Sequence, residues 1–81
     1  MISSNQDLYK ELEKLTIQLE SIGGKAQSEK LKDAMAISSV PGEILGEIRR
    51  ELRQLSKTDL GKKTELTETI QDMLSYLDGI L

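Results

Sequence analysis

Four basic side chains, Arg49, Arg50, Arg53 and Lys57, crowd into one short stretch of the chain. Guanidinium groups match the oxygens of carboxylate and phosphate, so the cluster fits an acidic protein partner or a phosphate backbone. The segment from Leu31 to Arg53 has the length of a helix–turn–helix, which makes a DNA-binding regulator the alternative reading. Two features weigh against DNA. A recognition helix offers its first residues to the bases, and here those residues include Glu43 and Glu47. The break Ser38-Ser39-Val40-Pro41-Gly42 also departs from a short turn opened by one glycine. Glu47 is spaced to pair with Arg50, and Glu43 or Glu51 to neutralise the rest, at ~0.3–0.5 kcal/mol per exposed pair.

The carboxylates Glu11, Glu13 and Glu20, with Glu65, Glu68 and Asp72, invite a test for metal binding or acid–base work. A di-iron bundle site needs inward-facing Glu together with Glu-x-x-His. The chain has no His and no Cys, which also removes zinc fingers, disulfides and nucleophile–histidine catalysis. The expectation is no catalytic residue, no cofactor, no metal and no enzymatic activity.

Apolar residues that stand apart from the main stripes are the third kind of candidate. Ile17 lies roughly 180° from the stripe of its own helix, and Tyr9 about 100° from Leu8, at 100° per residue. Both would then meet a second subunit or another protein. Ile17, Tyr9, Arg49, Arg50 and Arg53 are the candidate interaction residues.

The elements that position these groups follow from hydrophobic periodicity. Leu8, Leu12, Leu15, Leu19 and Ile22 form a heptad seam and predict a first helix over about 4–22, capped by Ser3, Ser4 or Asn5. Asp7 suits the positive end of its dipole, and Gly23-Gly24 ends it. Leu31, Ala34 and Met35 predict a second helix over about 25–37. Pro41 fits the first turn of a third helix, about 41–56, carrying Ile44, Leu45, Ile48, Leu52 and Leu55. Thr58 or Asp59 is the expected cap of a fourth helix over about 59–78, whose stripe is Leu66, Ile70, Met73, Leu74, Leu77, Ile80 and Leu81. Valine occurs once and no alternation survives, so the fold class is all-α. The expected architecture is a single domain over 1–81, an up-and-down bundle of three to four amphipathic helices, with the first and fourth side by side.

Composition bounds the rest. The 81 residues carry 14 acidic and 11 basic side chains, a net charge of −3, which argues against general affinity for nucleic acid or anionic membranes. The first residues, Met1 to Asp7, have no basic and apolar leader pattern, and no apolar run is long enough to span a membrane. The expectation is a cytoplasmic protein. A chain this short sits near the margin of stability, and without disulfides or metals self-association is one way to gain it; a homodimer is expected.

The run Gly42-Glu43-Ile44-Leu45-Gly46-Glu47-Ile48-Arg49-Arg50-Glu51-Leu52 resembles a pattern in small bacterial all-helical proteins without assigned function. There a Gly/Ser/Thr turn precedes Glu-Ile-Leu and a Leu-Arg-type helix. The resemblance covers roughly Ala34 to Leu55, implies a bacterial or phage origin and an all-α fold, and brings no activity or cofactor. The expected function is protein–protein interaction, as an adaptor, a chaperone-like binder or an antitoxin/immunity-type regulator.

Overall fold

The computed structural model describes residues 2–37 and 39–81, apart from the side chain of Thr64. Met1 of the amino-terminal segment and Ser38 of the central break lie outside the described residues. Four helices make up the fold: α1 (Asn5–Ser21), α2 (Lys25–Ala36), α3 (Pro41–Ser56) and α4 (Thr64–Ile80).

Helix α1 begins where its cap places it. The Ser4 hydroxyl accepts from the Asp7 N–H at 3.2 Å, while the Asp7 carboxylate accepts from the N–H and hydroxyl of Ser3. Each of these bonds satisfies a donor at or beside the helix start. Leu8, Leu12, Leu15 and Leu19 are fully buried. Ile22 does not continue their seam: it is 36% exposed and caps the helix. The reason is Gly23, at φ 85°, which turns the chain so that Gly24 N–H reaches the Leu19 carbonyl at 2.6 Å. Only glycine takes that left-handed conformation without strain.

Helix α2 buries only Ser28, Leu31 and Ala34, with Met35 half-buried. Ile37, expected as its last residue, is the cap beyond it. Helix α3 matches its expected span, with Pro41 in the first turn after an extended Val40. It buries Leu45, Ile48, Leu52 and Leu55.

The largest departure from expectation is the start of α4, at Thr64 rather than Asp59. Thr58 caps the end of α3 and not the beginning of α4. Its hydroxyl donates to the Leu55 carbonyl at 2.7 Å and accepts from the Gly61 N–H at 3.1 Å. The chain folds so tightly there that a Cβ on Gly61 would stand 1.9 Å from the Leu55 carbonyl oxygen. Helices α3 and α4 are therefore separate, joined by a turn over 57–63. Leu66, Ile70, Met73, Leu74 and Leu77 are buried, whereas Ile80 and Leu81, expected in the same stripe, are exposed. That stripe runs past the packed region, and Leu81 already lies beyond the helix.

Each helix packs on its neighbour in sequence, and α1 also packs on α4. Their leucine-rich faces meet in one core cluster. The radius of gyration is 11.5 Å, against about 12 Å for a folded chain of this length. No described helix is long and apolar enough to cross a membrane.

Candidate functional site

The buried stripe of α3 divides its remaining surface into two flanks. At 100° per residue, Arg49 and Arg53 fall on one side of Leu45, Ile48, Leu52 and Leu55. Glu47, Glu51 and Gln54 fall on the other. Helix α4 covers the first flank and α2 the second.

On the α4 flank, the Asp78 Oδ1 atom receives both arginines. Arg53 Nη2 stands 3.0 Å from it and Arg49 Nη1 3.5 Å. The expected partners were Glu43 or Glu51, so this is a correction. Glu51 sits two residues from each arginine, and residues two apart on a helix do not face each other. The expected pair of Arg50 with Glu47 is present at 3.8 Å, three residues apart on the outer side of α3. All three arginines of the basic cluster thus lie within ion-pair distance of carboxylates of the same molecule.

On the α2 flank, the two helices leave a shallow trough. Gln27, Lys30 and Leu31 line it opposite Glu51, Gln54, Leu55 and Thr58. It continues between Asp33, Ala34 and Ile37 on one wall and Glu47 and Glu51 on the other. Leu31, Ala34 and Leu55 lie buried beneath it.

The opposite side of α2 is tightly held. The buried Ser28 hydroxyl donates to Glu20 Oε2 at 2.6 Å, and Lys32 Nζ reaches the same oxygen at 2.9 Å. The Ser28 hydrogen bond, then that from Lys32, holds the Glu20 carboxyl below its ordinary pKa. In the same way, hydrogen bonds from Ser3 lower the Asp7 carboxyl. Sequence reasoning passed over Ser28. Its signal was available, since 28, 31 and 35 share one helical face and a serine there stands at a core position.

Ile17 projects from α1 and is 68% exposed. Tyr9 is half-buried and packs on the core, so part of its ring already has an intramolecular neighbour. Tyr76, from α4, donates its hydroxyl to Asn5 Oδ1 at the start of α1. The structure therefore does not gather Ile17, Tyr9 and the arginines into one surface: Ile17 and Tyr9 belong to α1, and the arginines lie on α3.

Among the described residues no three acidic, His or Cys side chains converge as a metal site. No known protein family, curated protein or solved structure matches the chain, so the short likeness over Ala34 to Leu55 stands on its residues alone.

Proposed function

We propose that this protein works in the cytoplasm without catalysis, by binding other proteins, as an adaptor, a chaperone-like binder or an antitoxin/immunity-type regulator. The observation that carries this reading is the apolar surface left over once the core is complete. Ile17, Ile37 and Val40 are 68%, 58% and 51% exposed, although the leucine seams are consumed internally. Single exposed apolar residues are common, but two of these stand close in sequence, Ile37 capping the end of α2 and Val40 preceding α3.

The up-and-down order of the bundle belongs to the same reading. Glu20 near the end of α1 meets Ser28 near the start of α2, and Asn5 at the start of α1 meets Tyr76 near the end of α4. Both contacts suit antiparallel neighbours.

Self-association through the outer face of α1, centred on Ile17, gives a homodimer. Light scattering on the purified protein, with Ile17→Asp alongside, tests this. The expected result is a dimer for the parent and a monomer for the variant. A parent that stays monomeric at high micromolar concentration removes the homodimer from the proposal. The helix–turn–helix alternative gains no support from a basic cluster already paired with Asp78 and Glu47.

A further inference from the structure

We draw no further inference here: the strongest candidate, the apolar surface at the connection of α2 to α3 where Ile37 and Val40 stand exposed, carries none because nothing in the structure shows what covers it.

Discussion

The two flanks of α3 carry opposite charges. Toward α4, Arg49 and Arg53 converge on Asp78, and the turn below them is so tight that only glycine fits at position 61. Toward α2, carboxylates face a trough floored by an alanine and two leucines. One helix thus ties its basic side to a carboxylate of α4, while its acidic side lines a surface depression above its packed contact with α2. The difference teaches that the most conspicuous charged cluster in a sequence need not be its interaction surface. Arginines reach far enough to find a partner on another helix, and a cluster that has done so has less left to offer.

The sharpest way to break this comparison is at the turn that joins α3 to α4. Gly61→Ala forces a Cβ into the Leu55 carbonyl, and the chain must shift to admit it. A loss of about 3 kcal/mol is expected in urea denaturation, at the upper end for overpacking. Gly46→Ala makes the matched control. It lies inside α3, and a Cβ there meets nothing within 4 Å. Alanine should therefore stabilise the helix by about 0.5–1 kcal/mol. A Gly61→Ala protein as stable as the parent would show that the α3–α4 turn has room to spare.

A smaller effect separates the charges themselves. Asp78→Ala removes the shared acceptor of two arginines and should cost about 0.5–1 kcal/mol at low salt. The cost should fade as salt is added, because the three side chains are partly exposed. Part of it is offset, since Asp78 lies near the end of α4 where the helix dipole disfavours a carboxylate. Glu51→Ala, on the α2 flank, should change stability by less than about 0.5 kcal/mol. The reverse ranking in parallel urea titrations would mean that the α2 side is the one held by charge.

Whether a contact is legible in the sequence depends on whether it stays within one helix. The Glu47–Arg50 pair could be read there because helix geometry alone brings residues three apart together. So could the span of α3, which a proline opens and four buried apolar residues define. Asp78 could not be assigned to Arg49 and Arg53, because that contact depends on where two helices cross. The start of α4 failed for a different reason. A threonine hydroxyl caps the start of a helix or closes the turn after one, and residues 58 and 59 suited both. What decides is the close approach of Gly61 to Leu55, which no local pattern encodes.

Helix α2 packs on both α1 and α3, and toward α1 it is also stapled by polar side chains. The staple is ionic on one side, since Ser28 and Lys32 both donate to Glu20. Those bonds favour the charged carboxylate, so the folded protein holds Glu20 below its ordinary pKa and the unfolded chain does not. Above the unfolded pKa both states are ionised and the contribution to stability is complete. As the pH falls below about 4.5, the unfolded state takes up its proton first and stability declines. The decline continues until the folded carboxyl is also protonated. Asp7, lowered by its bonds from Ser3, adds a decline of the same sign. Both groups are exposed, so the effect is small and is best read as a slope. Melting temperatures followed from pH 6 down to pH 3 should fall less steeply in Glu20→Gln than in the parent. Gln keeps an oxygen to accept from Ser28 but has no charge to lose. Ser28→Ala should lower the melting temperature at every pH and also flatten the slope, because it removes the bond that does most to depress the Glu20 pKa. Identical slopes in all three proteins would place the acid sensitivity elsewhere, and would mean that the α1 side of α2 is held by the packing of Leu31 and Ala34 rather than by this staple.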